Sequence, residues 1–115
     1  MKVCIDAGHG GSDVGALGPS GLRESDMALD VCERIKVMLD PVVEVVMTRT
    51  NDTYLSLTKR ADICNAEGCS LFISYHFNSA DSALANGWEV FTTRKDNNSD
   101  KLATCIGEAH ASEFP

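Results

Sequence analysis

Short apolar runs alternate along this chain with longer stretches in which apolar residues recur every three or four positions. The runs at residues 3–5, 42–47 and 71–75 predict β-strands, and the third is apolar enough to predict a strand buried on both faces. A fourth strand is predicted at W88-E-V-F-T92, directly after Gly87. Because the periodicity changes between these runs, we expect helices in the stretches that separate and follow them.

The first predicted helix begins near Glu24 and ends at Pro41, which cannot continue a helix. Its apolar positions recur at spacings of four and three, which predicts an amphipathic helix with one face against the sheet. That stripe consists of Met27, Val31, Ile35 and Met38, with Ala28, Cys32 and Leu39 beside it.

Two further helices are predicted, one over residues 56–67 and one whose N-terminus the polar segment N97-N-S99 would cap. Gly68 lies at the C-terminal end of the earlier of the two, where a glycine commonly ends a helix. Its apolar stripe is Leu57, Ala61 and Cys64. The last helix carries Leu102, Cys105, Ile106 and Ala109.

The alternation of strands and helices predicts an α/β fold in three layers, with a mostly parallel sheet flanked by helices. No internal repeat or low-complexity linker divides the chain, so we expect one domain over residues 1–115. A glycine-rich loop at residues 7–21 separates the first strand from the first helix. Ligands of such sheets gather beyond the carboxyl ends of the strands, which makes the polar residues there the first candidates for a site.

The overall charge and the N-terminus narrow the classes of protein to consider. A formal net charge of −7 argues against a nucleic-acid or anionic-membrane partner. No apolar run approaches the roughly 20 residues that a spanning helix needs. The N-terminus leads straight into the first strand, without the apolar stretch and cleavage site of a signal peptide. We therefore expect synthesis in the cytoplasm.

The five cysteines are scattered and mostly occupy apolar positions. Cys64 and Cys69 are close enough in sequence to pair, but a reducing compartment disfavours a disulfide. The chain has no C-x-x-C motif, which argues against a zinc knuckle made of thiolates.

Three polar side chains fall at the predicted carboxyl edge of the sheet. His9 follows the first strand, His76 follows the third, and Glu24 lies in the first turn of the helix after the glycine loop. Two imidazoles and one carboxylate suit zinc, with a fourth position left for water. His9, Glu24 and His76 lie far apart along the chain, so the prediction of a zinc site depends on the predicted topology and not on sequence spacing.

Simpler interpretations exist for each of these features. A glycine-rich loop after a first strand can bind phosphate, but this one lacks the Lys-Ser/Thr of a P-loop and does not fit G-x-G-x-x-G. Glu24 alone is a residue that the helix dipole favours in a first turn. His76 alone can be a hydrogen-bonded histidine at a strand end, and His110 is interpreted as structural or solvated. Three aspartates are interpreted as surface or capping charges: Asp13, Asp26 and Asp30.

Five sequence blocks carry a family resemblance that covers residues 3 to about 92. They are D6-A-G-H-G-G-S-D-V-G-A16, G21-L-R-E-S25, T48-R49, F72-I-S-Y-H-F-N78 and G87-W-E-V-F91. In order and spacing they resemble the zinc-dependent N-acetylmuramoyl-L-alanine amidases of the amidase-3 type, which occur as bacterial autolysins and phage endolysins.

The resemblance implies a site, a cofactor and a substrate. It implies that His9, Glu24 and His76 hold one zinc ion, and that the glycines let the loop fold tightly around His9. It also implies hydrolysis of the amide bond between N-acetylmuramic acid and L-alanine in peptidoglycan. Zinc would activate water, a general base would take its proton, and neighbouring groups would orient the imidazoles. The candidates for that orienting role are Asp6, Asp13 and Asn78.

The sequence departs from the family at its C-terminal end. The family continues with another strand, a helix and a final strand, and a second glutamate there acts as the base. This sequence ends with the octapeptide E-A-H-A-S-E-F-P, from Glu108 to Pro115, and lacks that V-x-x-E-x-G-F block. The remaining glutamates considered as a substitute base are Glu89, Glu108 and Glu113, none at the family's position.

Three interpretations of the short length are open at this point. The chain can be an amidase fragment, an active short form that uses another base or a partner chain's residue, or a zinc-holding wall-binding module without catalysis. Missing strands would leave a sheet edge uncovered, which predicts a homo-oligomer. A cytoplasmic product of this family would reach the cell wall only after its release.

Overall fold

The computed structural model describes residues 1–93 and 97–113 of the chain. These residues divide into two compact units, Met1–Ala80 and Asp81–Pro115, and each unit is described by itself. The first unit contains β1 (Lys2–Ala7), α1 (Glu24–Leu39), β2 (Glu44–Met47), α2 (Leu57–Ala66) and β3 (Leu71–Tyr75). The second contains α3 (Asn97–Glu113).

The sheet of the first unit is parallel, with the strand order β2-β1-β3. The central strand β1 is buried from Val3 to Ala7 because it has a strand on either side and a helix over each face. Alternate side chains of β1 point to opposite faces. Val3, Ile5 and Ala7 pack in one cluster with Ala28 and Cys32 of α1.

The opposite face of β1 lies against α2. Asp6 contacts Arg60 of α2, and the sulfur of Cys4 lies within 4.8 Å of the sulfur of Cys64 in the same helix. The two helices therefore cover the two faces of the sheet, and the predicted three-layer α/β fold is confirmed.

The parallel register determines which loops meet at the carboxyl edge of the sheet. Ala7 of β1 is paired with Tyr75 of β3, so the residues that follow these strands leave the sheet side by side. Ile5 is paired with Met47, which brings the segment after β2 to the same edge. His9 and His76 lie two residues and one residue beyond their strands, as the sequence predicts.

The buried face of α1 differs from the predicted stripe. Ala28 and Cys32 are buried at its centre and Ile35 packs beside them, but Met38 is 75% exposed. Apolar residues occupy two adjacent faces of this helix, and periodicity alone could not decide which of the two lies on the sheet.

The prediction for α2 is right about its ends and wrong about its buried face. Ser56 caps the helix by accepting a hydrogen bond from the backbone N–H of Lys59, and Gly68 follows its C-terminus at φ +67°. Of the predicted stripe only Cys64 is buried, whereas Leu57 is 86% exposed and Ala61 is exposed. The second buried residue of α2 is a charged one, Arg60.

The strand β3 is not buried on both faces, contrary to the prediction. Phe72 and Ser74 are exposed, and the alternate residues Leu71, Ile73 and Tyr75 are half-buried. The half-buried residues are those that pack on the α1 side. As an outer strand of the sheet in the first unit, β3 is covered on that side more than on the other.

The prediction of a fourth strand, in what is now the second unit, is wrong. Residues 88–92 have no strand structure, because Trp88 packs on α3 with its ring centroid 4.9 Å from that of His110 and does not join a ladder. The helix α3 already includes Asn97, so Asn98 and Ser99 lie in its first turn instead of preceding it. Among residues 1–93 and 97–113, no helix is long and apolar enough to cross a membrane.

Candidate metal centre

The loop after β1 turns back on itself and attaches to the start of α1. His9 has the left-handed backbone conformation at φ +61°, and Gly10 and Asp13 form a short antiparallel bridge beyond it. The first backbone N–H groups of α1 are satisfied by this loop, since Glu24 and Ser25 donate to the carbonyls of Ala16 and Val14. The loop thus replaces a side-chain cap and holds Glu24 next to His9.

Two glycines allow the candidate ligands to approach the loop closely. A Cβ atom at Gly8 would collide with the ring of His76. A Cβ atom at Gly15, whose φ is +69°, would lie 2.7 Å from both Glu24 Oε2 and His9 Cδ2. Both glycines are therefore required by the space that the three side chains occupy, and Gly15 is also required by its backbone conformation.

The three side chains predicted as ligands meet at one point. His9 Nε2 lies 3.1 Å from Glu24 Oε1, His76 Nδ1 lies 3.1 Å from the same oxygen, and the two nitrogens are 3.2 Å apart. Bonds of about 2.0–2.1 Å to a tetrahedral zinc ion would place its ligand atoms about 3.3–3.4 Å apart. The donor set and its nearly equilateral geometry therefore fit zinc with little adjustment.

Asp13 is the group that orients His9. Its Oδ2 atom lies 2.8 Å from His9 Nδ1, so this nitrogen donates to the carboxylate and the lone pair of Nε2 points to the other two candidate ligands. The hydrogen bond from His9 also holds the pKa of Asp13 below its ordinary value. Of the three residues predicted to orient imidazoles, Asp13 contacts His9 in this way. Asn78 is an exposed residue two positions after His76.

Glu24 is buried yet held in its ionised form. Burial alone would raise the pKa of Glu24, but backbone N–H groups and the nearby imidazoles outweigh that effect and lower it. Oε2 accepts from Ala16 N–H at 2.9 Å, and Oε1 accepts from Phe77 N–H at 3.0 Å. A carboxylate positioned in this way keeps a negative charge available to a cation.

Asp6 does not orient an imidazole, contrary to one of the predicted alternatives. Its carboxylate is buried and accepts from the hydroxyl groups of Thr48 and Ser74 at 2.6 Å, and from Arg60 Nη1 at 2.9 Å. The side chain points to the α2 face of β1, where it joins the ends of all three strands to α2.

Two buried arginines support the backbone of the loop. Arg60 donates to the carbonyls of Ala7 and His9, and Arg49 donates to those of Ala7, Gly8 and Ser25. Sequence reasoning noted Arg49 in a family block but missed Arg60. Its position one helical turn before the buried Cys64 was the available signal, because residues four apart share a helix face.

The three glutamates considered as a base lie in the second unit. Glu89 is in the irregular segment before α3, and Glu108 and Glu113 are on α3, all with exposed side chains. His110 also lies on α3, half-buried beside Trp88.

A cavity of about 660 Å³ in the first unit extends from the candidate centre along the α2 face of β3. His9, Asp13 and His76 line its polar end, and its remaining wall is largely apolar. The apolar lining residues include Leu55, Leu57, Ala61 and Phe72.

A parallel α/β sheet with two imidazoles and a carboxylate at its carboxyl edge places this chain in a class of α/β proteins suited to metal-assisted hydrolysis. Residues 3–115 match the sequence profile of the amidase-3 family, described as N-acetylmuramoyl-L-alanine amidase. The chain belongs to this family, and its relatives LytC and AmiA are named as N-acetylmuramoyl-L-alanine amidases.

Similar proteins come from several bacteria. The N-acetylmuramoyl-L-alanine amidase LytC of Bacillus subtilis is 38% identical over 107 residues, which cover 90% of this chain and 21% of LytC. The solved structure of an N-acetylmuramoyl-L-alanine amidase from Clostridium difficile 630 superposes with a TM-score of 0.92 at 31% identity, over 96% of this chain and 62% of that one.

The catalytic domain of CwlV, from Bacillus (Paenibacillus) polymyxa var. colistinus, gives a TM-score of 0.71 at 38% identity. This match covers 75% of the present chain and 50% of that structure. The present chain spans less than half of the length of curated relatives such as LytC, at 21%, and AmiA of Salmonella typhimurium, at 37%.

Proposed function

We propose that this protein is a zinc-dependent amidase that hydrolyses the bond between N-acetylmuramic acid and L-alanine in peptidoglycan. The observation that carries the proposal is the triangle of His9, Glu24 and His76, whose edges of 3.1–3.2 Å are slightly shorter than the about 3.3–3.4 Å of a tetrahedral zinc site. Membership of a family named for this reaction supports the choice of substrate.

One zinc ion held by these three residues would supply a Lewis acid that polarises the scissile carbonyl and lowers the pKa of water. The residues of the chain have separate tasks in this scheme. Asp13 keeps the proton of His9 on Nδ1, and the N–H groups of Ala16 and Phe77 keep Glu24 ionised and in place. Arg49 and Arg60 hold the loop carbonyls so that His9 keeps its strained conformation.

The site is open on the side that a substrate must approach. The side chains of His76 and His9 are 43% and 24% exposed, whereas that of Glu24 is 5% exposed. The two imidazoles that would hold the ion are therefore accessible from solvent, whereas Glu24 is not. The cavity beside it offers an apolar wall for the sugar ring and the peptide methyl groups of a muropeptide. Because this substrate is part of the cell wall, the proposed place of action is the cell wall.

The sequence-based candidates for the general base are three glutamates, none of which stands at the family's catalytic position. Glu89, Glu108 and Glu113 are the three to test, each by replacement with glutamine. Replacing the true base is expected to reduce turnover by about 10²–10⁴-fold while zinc binding is retained. A variant that loses zinc as well would identify a structural residue instead.

The test is release of new L-alanine amino groups from purified peptidoglycan by the zinc-loaded protein. Zinc-dependent release that EDTA abolishes is the expected result. Glu24→Gln should lose both zinc and release, whereas Glu33→Gln, an exposed glutamate on the same helix, should retain both. A folded, zinc-bound protein that releases no amino groups would refute the amidase proposal and leave a metal-binding protein without turnover.

A further inference from the structure

Three cysteines from different parts of the first unit meet at the α2 face of the sheet, away from the carboxyl edge. Cys4 lies on β1, Cys64 on α2, and Cys69 in the connection from α2 to β3. Their sulfur atoms all lie within 4.8 Å of one another, and none forms a disulfide. Cys64 and Cys69 are near one another in sequence, and the packing of α2 on β1 brings Cys4 to them.

The elements that carry the thiols are held in position independently of any ion. Cys4 is in the middle of the central strand, and the backbone N–H of Cys69 donates to the carbonyl of Cys64 at 3.1 Å, which closes the end of α2. Ser70 then donates to the carbonyl of Lys2 at 2.8 Å and ties this connection to β1. The sulfur positions are therefore largely preorganised.

We propose that Cys4, Cys64 and Cys69 form a second metal site, which binds one soft thiophilic ion, copper(I), through three thiolates. Sulfur–metal bonds of about 2.3 Å would place three ligand sulfurs about 3.8–4.0 Å apart, so the cluster needs to contract by less than about 1 Å. Nothing in the hydrolytic scheme uses these residues.

The donor set favours copper(I) over zinc at this position. Structural zinc sites use four ligands, whereas the cluster found among residues 1–93 and 97–113 consists of three thiols. Soft thiolate ligands suit copper(I) as well as zinc, so the number of ligands, three instead of four, is what favours copper(I) here. Imidazole and carboxylate at the other centre are ligands that suit zinc, so the two sites differ in the ion they prefer.

Access from solvent is compatible with this assignment. Cys4 is fully buried, but Cys69 is partly exposed and Cys64 lines the cavity, which gives an ion two routes from solvent. Binding would replace three S–H protons, which pass to solvent, and would leave one unit of positive charge among three thiolates. The copper–thiolate group would carry a net charge of −2, and Lys2, the cation beside Cys69, also pairs with Glu44 and Glu67.

The proposal is tested by anaerobic competition of the full chain with a chromophoric copper(I) chelator. The wild-type protein is expected to bind one equivalent of copper(I). Cys69→Ser should weaken this binding by at least about 100-fold, because the loss of a ligand should exceed the effect of losing a supporting group. Cys64→Ser should have the same effect. Cys105→Ser, an exposed cysteine on α3, is the matched control and should bind as the wild type does.

The proposals of a zinc site and of a copper(I) site are tested independently of each other. His9→Ala should abolish zinc binding and leave the thiol-bound copper(I) equivalent intact. Copper(I) binding that Cys69→Ser and Cys64→Ser leave unchanged, or that His9→Ala removes, would overturn the proposal. So would a wild-type protein that, while reduced and folded by circular dichroism, takes up no copper(I) from the chelator.

Discussion

Single glycines determine how closely the candidate ligands can approach one another. Gly15 and Gly21 both have positive φ, at +69° and +83°, but their surroundings differ. A Cβ atom at Gly15 would meet Glu24 and His9, whereas one at Gly21 would have no heavy atom within 4 Å. Substitutions at Gly15 and Gly21 therefore distinguish the energetic cost of backbone strain from the cost of crowding the candidate metal centre.

We expect Gly15→Ala to weaken zinc binding by at least about 10-fold, because displacing Glu24 disturbs a ligand directly. Gly21→Ala should cost only the strain of its conformation, about 1–2 kcal/mol of unfolding free energy, with zinc affinity unchanged. Zinc competition titrations and urea unfolding of both variants measure the two effects. Equal losses of zinc affinity would show that backbone freedom, and not the contact with Glu24, decides the outcome.

At the residue scale, one buried thiol makes the free energy of unfolding depend on pH in the alkaline range. Cys32 lies in the core against β1, and burial, with a smaller effect of Asp6, raises its pKa to about 12. The unfolded thiol ionises near pH 8.5, so between that pH and 12 the unfolded state binds fewer protons than the folded one. This group therefore favours unfolding progressively as the pH rises through that window.

Cys32→Ala should make the loss of stability between pH 9 and pH 11 shallower by roughly 1 kcal/mol per pH unit, while costing about 1 kcal/mol at neutral pH for the lost sulfur. Cys105→Ala, at an exposed position, should leave both the slope and the neutral stability close to those of the wild type. Urea unfolding at a series of pH values provides the measurement. An unchanged slope in Cys32→Ala would contradict the raised pKa.

At the scale of elements, Arg60 connects α2 to β1 and to the loop that carries His9. Its guanidinium contacts the carboxylate of Asp6 at 2.9 Å and the carbonyls of Leu55, Ala7 and His9. Both partners of the ion pair are buried, so neither charge is solvated when the other is removed. Such a pair holds elements in one arrangement even where it adds little net stability.

Arg60→Met is expected to reduce the unfolding free energy by roughly 3–5 kcal/mol, because it leaves the charge of Asp6 buried without its partner. Lys59→Met changes a neighbouring exposed residue of the same helix and should stay within about 0.5 kcal/mol of the wild type. Asp6→Asn combined with Arg60→Met should recover part of the loss. Chemical unfolding of the metal-free proteins tests this, and similar values for the Arg60 and Lys59 variants would refute it.

The whole molecule raises the question of self-association. The sheet of the first unit ends in β2 on one side and β3 on the other, and outer strands offer unpaired backbone groups to another chain. The sequence-based expectation of a homo-oligomer stays a prediction. The net charge of −7 opposes association at low salt, so the effect should grow with ionic strength.

We expect light scattering to show a mass that rises with protein concentration, more strongly at high salt than at low salt. A control series at the lowest measurable concentration should give the monomer mass of 12.4 kDa. A constant monomer mass at high concentration and high salt would contradict the prediction.

Much of this fold and site follows from local sequence pattern. Apolar runs separated by amphipathic stretches predict the strands and helices, because side-chain direction repeats with a period of two in strands and 3.6 in helices. The same order predicts His9, Glu24 and His76 at one edge, because parallel strands all end on the same side of a sheet. The glycines around His9 likewise predict a tight loop from the sequence, because glycine adopts backbone conformations that few other residues allow.

Other features depend on contacts between residues far apart in the chain. The face of α1 on the sheet, the exposure of Leu57 and the absence of a strand at Trp88 follow from packing, which periodicity does not encode. The contacts of Arg60 with Asp6 and the meeting of three cysteines likewise arise only when α2 covers β1. Local sequence therefore determined most of the elements and the candidate ligand types, whereas tertiary structure decided their partners, because burial and pairing are properties of the assembled layers.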